Sequence, residues 1–160
     1  MKNVLTSLIL SASLSLGMAS CDKGNEPISI QENGDSNVTT TNPSTSKMKI
    51  TIGSDLFTVT LYDNPSATAF RARLPLTINM TELNGNEKYY DLPNSLPANA
   101  SVGGNIKVGD LTLYGSNTLV LFYKGFNTSY SYTKLGYVDN PSGLATALGN
   151  GNVVVKFENN

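Results

Sequence analysis

The feature that most constrains this chain is the alternation of apolar and polar residues that begins after Lys47 and continues to the end. Successive side chains on a strand point to opposite faces, so alternation marks strands with one face buried and one solvated. Ile50 and Ile52 alternate, then Phe57, Val59 and Leu61 do so beyond Gly53-Ser54-Asp55, which reads as a hairpin. Leu76, Ile78 and Met80 form the next run. It ends at Asn84-Gly85, a type I′ turn signal because both residues tolerate positive φ, and Glu87 to Leu92 is the returning strand. Leu111 and Leu113 lead through Gly115-Ser116-Asn117 into Leu119, Leu121 and Tyr123. Leu135 to Val138 and the closing Val153, Val155 and Phe157 bring the expected total to about eight strands.

Two segments have helical grammar, and both open with Asp-Asn-Pro-Ser, at residues 63–66 and 139–142. An Asn cap followed by Pro is a favourable start, since the N–H that proline lacks would be unpaired there anyway. The first helix places Ala67, Phe70 and Leu74 on one face before Pro75. The second places Leu144 and Leu148 together and ends at Gly149. Two short helices with one apolar stripe each suit the open ends of a small barrel. Shared capping grammar explains the repeated tetrapeptide better than internal duplication.

Before Lys47 the texture differs. Residues 1–20 have Lys2 near the start, an apolar stretch from Val4 to Leu16 and small residues before Cys21, the plan of an export signal that is short for a spanning helix. Met18-Ala19-Ser20-Cys21 resembles the lipobox of bacterial lipoproteins, which implies cleavage before Cys21, acylation of its thiol and insertion of the acyl chains into the bilayer. The alternative is an ordinary signal cut that leaves Cys21 a free thiol. Residues 22–46 are rich in Asn, Ser, Thr, Gly and Pro and nearly lack large apolar groups, so they read as a flexible linker with an end-to-end distance of about 25–30 Å. The expected organisation is a signal peptide at 1–20, a lipidated cysteine and linker at 21–46, and one domain at 47–160. The expected location is the bacterial cell envelope, on the periplasmic face or the cell surface.

Composition removes several chemistries. Cys21 is the only cysteine and there is no histidine, so the domain has neither a disulfide nor the groups for Ser-His-Asp or Cys-His catalysis or for a His/Cys metal site. Lys2 is the only charge among the first twenty residues, which leaves ten basic and twelve acidic residues beyond them. That balance offers no basis for neutralising nucleic-acid phosphates. The glycines at 103–104 and 149–151 lack the spacing and the Lys-Ser/Thr of a phosphate loop and read as turns. No cofactor is called for, and a monomer is expected. The carboxylates Glu82, Glu87, Asp91 and Asp110 fall at strand ends or turns; a pair could perform acid/base work, and solvated rim charges are the plainer reading.

The strings LPLTINMTELNGNEKYYDLP (74–93), GDLTLYGSNTLVLFYKGFNTSYSYTKLG (109–136) and GLATALGNGNVVVKFE (143–158) resemble the bacterial cyclophilin-like domain family. The resemblance implies a mainly β fold, a closed eight-stranded antiparallel barrel capped by two short helices, in agreement with the element count. Cyclophilins proper are prolyl isomerases that carry a Phe-His-Arg-x-Ile-Pro-x-Phe strand and a Trp, Phe and His around the proline. None of that string occurs here. Trp is absent, and the only arginines, Arg71 and Arg73, lie on the first expected helix. No catalytic residue is therefore carried over.

The expected function is an envelope-tethered binding module for a peptide or other small ligand. The alternatives are a weak isomerase with a donor such as Arg71 or Asn79 and an accessory lipoprotein without a ligand. The aromatic cluster motivates the first. Phe122, Tyr123, Phe126, Tyr130 and Tyr132 fall within eleven residues, too many to all point inward from one segment. Tyr123, Phe126, Tyr130 and Tyr132 are the candidate groove residues, and the polar tip from Glu82 through Asn84 to Glu87 is the candidate opposite wall.

Overall fold

A computed structural model of the chain describes residues 46–160; the expected signal peptide, Cys21 and the linker before Ser46 lie outside the described residues. Nine strands and two helices follow in the order β1 (Ser46–Ile52), β2 (Asp55–Leu61), α1 (Pro65–Arg71), β3 (Leu76–Leu83), β4 (Glu87–Asp91), β5 (Ser101–Ile106), β6 (Asp110–Tyr114), β7 (Thr118–Phe122), β8 (Phe126–Val138), α2 (Leu144–Leu148) and β9 (Val153–Asn159). Hydrogen bonding runs β2-β1-β9-β3-β4-β7-β6-β8, and β2 pairs again with β8, so eight strands close into an antiparallel barrel. β5 stands outside the closure and pairs only with β8.

The alternation sets which side chains fill the barrel. Met48, Ile50 and Ile52, Val59 and Leu61, Ile78 and Met80, Leu111 and Leu113, Leu119 and Leu121, and Val155 and Phe157 form one continuous core. Asn84 and Gly85 both adopt positive φ, as a type I′ turn between β3 and β4 requires. At the closing seam Gly136 is obligatory. A Cβ there would collide with the Thr60 carbonyl oxygen, so only glycine lets β8 approach β2.

Asn64 caps α1, accepting from the Ala67 N–H at 2.8 Å, and Pro65 opens the helix. Phe70 enters the core edge-on to Phe157, their centroids 5.8 Å apart. The second helix differs from its sequence expectation. It begins after Gly143, while the Asn140 side chain accepts from Ser142 N–H and closes a local turn instead of capping the helix. Only three residues after Asn140 the chain takes a left-handed conformation at Gly143, which restarts the helix later. Leu144 and Leu148 still reach the core.

The main feature not anticipated from sequence is the length of β8. Its second half is a barrel strand, paired with β6 from Tyr132 to Tyr137, whereas its first half leaves the barrel and pairs with β5. This β5–β8 arm packs against the outer face of β7. Ile106 and Tyr132 cover Val120 and Phe122, with Phe126 and Tyr89 beside them, making a second small core outside the barrel. Each buried Val or Phe contributes about 1.5–3 kcal/mol, enough to hold the arm down.

Candidate functional site

β4 positions the site because its two faces do different work. Lys88 and Tyr90 pair across to Leu121 and Leu119 on the barrel side, while Glu87, Tyr89 and Asp91 pair with Phe122, Val120 and Thr118 on the outer side. Where the arm bows away from that outer face it leaves a groove of about 610 Å³. Glu87, Tyr89 and Asp91 of β4 with Thr118 and Val120 of β7 line its floor. Phe126 to Thr128, Tyr130 and Tyr132 line one wall, and Leu83, Asn84, Asn86 and Tyr114 line the rest.

Three tyrosines form the far end of the groove. The Tyr114 ring lies perpendicular to Tyr130 at 6.3 Å and tilted against Tyr132 at 5.7 Å between centroids. Tyr132 also meets Phe122 edge-on at 5.5 Å and is buried, whereas Tyr130 is 64 % exposed. Burial raises the Tyr132 hydroxyl above its ordinary range, with the Glu87 charge adding to the effect.

The Glu87 carboxyl is the unusual group of the floor. The residue is only 7 % exposed, and it takes part in no ion pair and no side-chain hydrogen bond among the described residues. Burial first, and the nearby Glu82 charge second, push it above the ordinary carboxylate range. Asp91 differs, being exposed and accepting from the Thr118 hydroxyl at 2.6 Å. Asn86 at the groove rim has a side-chain carbonyl oxygen that is buried without a partner among the described residues.

Directly behind this floor is a second polar constellation. Lys88 is fully buried, and its ammonium donates to the Glu82 carboxylate and to the carbonyl oxygens of Gly149 at 2.8 Å and Gly151 at 2.6 Å. All three donors are thereby used. The Tyr123 hydroxyl donates to the same Glu82 carboxylate at 2.8 Å, and the Lys88 nitrogen lies 5.1 Å from the Tyr123 ring centroid. Desolvation pushes Glu82 up, but the bonds from Lys88, Tyr123 and the Gly85 N–H, with the Lys88 charge, outweigh it and hold the carboxyl low. Tyr123 is pushed up to about 12 by burial and by its bond to Glu82. This constellation is a fastener that ties β3, β4 and the end of α2.

The structure therefore divides the residues singled out from sequence. Phe126, Tyr130, Tyr132 and Asn84 share the groove. Tyr123 and Glu82 belong to the fastener on the barrel side, because Tyr123 follows Leu121 in phase and shares its face. Arg71 lies at the end of α1, donating to the Ser46 hydroxyl at 2.7 Å and to Asn159 at 3.2 Å, away from the groove lining. Asn79 sits exposed on β3, paired with Val154, and does not line the groove either. From the sequence, Glu87 and Asp91 read as rim charges, with Glu87 also closing the candidate opposite wall, and Tyr89 and Tyr114 are not singled out. A usable signal was the run Leu119-Val120-Leu121-Phe122: a strand apolar on both faces must be covered on both, which points to a layer outside the barrel.

Comparison with known proteins agrees with this architecture. No curated protein matches the chain. The fold is similar to the solution structure of the hypothetical protein AF2241 from Archaeoglobus fulgidus, at 17 % identity and a TM-score of 0.51, over 72 % of this chain and 95 % of that one. A likeness at that identity speaks to the fold alone. The model of the cyclophilin-like family matches residues 50–158, from within β1 to near the end of β9 and including both helices, and the chain belongs to the cyclophilin-like family.

Proposed function

We propose that the domain is a binding module that holds a peptide or other small ligand in the groove under the β5–β8 arm, presented at the bacterial cell envelope on an acylated Cys21. The observation that carries this reading is the groove itself. Its volume of about 610 Å³ falls in the range of small-ligand sites, and it combines aromatic walls with a few polar groups. A second feature favours an extended peptide. β8 pairs with β6 on one edge and with β2 and β5 on the other, and the β6 pairing begins only at Tyr132. The edge of residues 127–131 away from β5 thus has no strand partner among the described residues, and an extended segment can add to such an edge through main-chain hydrogen bonds. The isomerase alternative draws no support from the positions of Arg71 and Asn79, since neither lines the groove.

The test is NMR titration of the chain from Asp22 onward with a panel of short peptides, including Xaa-Pro sequences. Saturable shifts at Tyr130, Tyr132 and Asn84, weakened by Tyr130→Ala, are expected. Shifts that Tyr130→Ala leaves unchanged would move the site elsewhere, and accelerated cis/trans exchange would restore the isomerase reading.

A further inference from the structure

Resting on the groove as a binding site, we infer that its ligand carries an alkylammonium group, which seats on Glu87. Three observations converge. First, the groove lining contains two carboxylates, Glu87 and Asp91, and no lysine or arginine. Of the cations nearest in the chain, Lys88 is spent on the barrel side, and the Lys124 ammonium lies beside Gly85 at the hairpin tip, outside the lining. Second, Glu87 is more than nine-tenths buried and has no ion-pair partner among the described residues, although it faces the groove. A partly desolvated carboxyl without a counter-charge gains when a ligand supplies one. Third, Val120, Phe126 and Tyr132 line the same groove, apolar and aromatic surface that suits an alkyl stem.

A neutral amide or hydroxyl ligand would satisfy one hydrogen bond of Glu87 but would leave the excess negative charge unanswered. An anionic ligand would meet two carboxylates and no cation. A primary ammonium on a flexible alkyl stem answers all three features, its methylenes against Val120 and Phe126 and its head on Glu87. Two sources share this chemistry, a lysine side chain of a peptide and a free diamine or polyamine. The raised position of Glu87 fits either, because an arriving cation would favour the ionised form and release a proton from the fraction still protonated.

The test is calorimetric and NMR titration of the chain from Asp22 onward, wild type and Glu87→Gln, with three probes: N-acetyl-lysine-N-methylamide, its Nε-acetylated counterpart and 1,5-diaminopentane. The expected result is that the lysine probe binds at least about tenfold more tightly than the acetylated one, and that Glu87→Gln removes most of this preference. Affinity for the charged probes should also fall as acid protonates Glu87; Asp91, Glu82, Lys88 and Lys124 are the other charges around it, and Tyr123 and Tyr132 the titratable hydroxyls that its charge reaches. Tighter binding of the diamine than of the lysine probe would identify a free amine as the ligand, and the reverse order a peptide side chain. Equal binding of acetylated and unmodified probes, or a preference that survives Glu87→Gln, would overturn the inference while leaving a neutral-ligand groove standing. No binding of any probe, together with none of the peptide panel, would overturn the groove reading as well. Gln is isosteric with Glu, and circular dichroism of the variant separates lost binding from lost fold.

Discussion

Replacing Lys88 with Met should be the most damaging conservative-volume change in the domain, and its size can be worked from the contacts. Lys88 has zero exposure, and its ammonium makes one ion pair and two hydrogen bonds to carbonyl oxygens. Removing one member of a buried pair costs about 3–5 kcal/mol, because the remaining charge loses its partner without regaining water. Here the lower end applies. The Glu82 side chain is 20 % exposed and keeps the Tyr123 hydroxyl and the Gly85 N–H, and Gly151 is exposed enough for its freed carbonyl to reach water. The expected loss is about 3 kcal/mol, or roughly 10 °C in Tm for a domain of this size. Urea unfolding followed by circular dichroism would measure it as a lower midpoint at unchanged slope. Adding Glu82→Gln to Lys88→Met removes the stranded carboxylate and should recover part of the loss. Acid dependence gives a further check. Glu82 is held below its ordinary range, so its contribution is complete above the unfolded carboxylate pKa and is lost as pH falls through the lower folded value. Lys88→Met should flatten that part of the acid limb. A loss under about 1 kcal/mol, or a double variant no better than the single one, would refute the argument that Lys88 is a buried fastener.

The remaining expectations concern the groove and the seam. Glu87 is raised in the folded state, so its ionisation costs stability at neutral pH and the cost disappears as pH falls below the unfolded value; Glu87→Gln should therefore raise the urea midpoint at pH 7 and give no advantage in acid. A neutral-pH midpoint below wild type would contradict this. Tyr130→Ala should change stability by less than about 0.5 kcal/mol because the ring is mostly exposed, whereas Tyr132→Ala should cost about 3 kcal/mol or more by opening the small outer core. Thermal melts of the two variants would test that contrast. Gly136→Ala should cost more than about 2 kcal/mol, since the new methyl would meet the Thr60 carbonyl oxygen, and a variant with near wild-type thermal stability would show that the β2–β8 seam tolerates separation.

Much of the barrel was legible because it depends on local rules. Alternation at Ile50, Val59, Ile78, Leu111, Leu121, Leu135 and Val155 assigns each strand its inward face whatever its neighbours, and Asn84-Gly85 and the Asn64 cap act within a few residues. The site was legible only in part. That the aromatics of 122–132 could not all be core followed from counting, and Phe126, Tyr130 and Tyr132 do meet in one groove. Which tyrosine faces which way depended on strand ends: Tyr123 continues the inward phase of β7, whereas β8 starts a new phase outside the barrel.

What only the tertiary structure decided is the pairing of β5 with the free half of β8, and with it the groove. The segment Ser101–Ile106 contains two glycines and little alternation, so its extended form is stabilised by its partner, not by its own sequence. Gly103 lies so close to Thr128, Tyr132 and Ile106 that a Cβ would crowd all three, a requirement visible only once those chains are assembled. The burial of Glu87 is of the same kind. The sequence determines that it alternates with Lys88, while the arm folding over from residues forty positions later determines that most of the residue is covered and that its carboxyl faces a groove without a counter-charge. Strand periodicity is a property of neighbouring residues; the energetic state of a carboxyl depends on everything that excludes water from it.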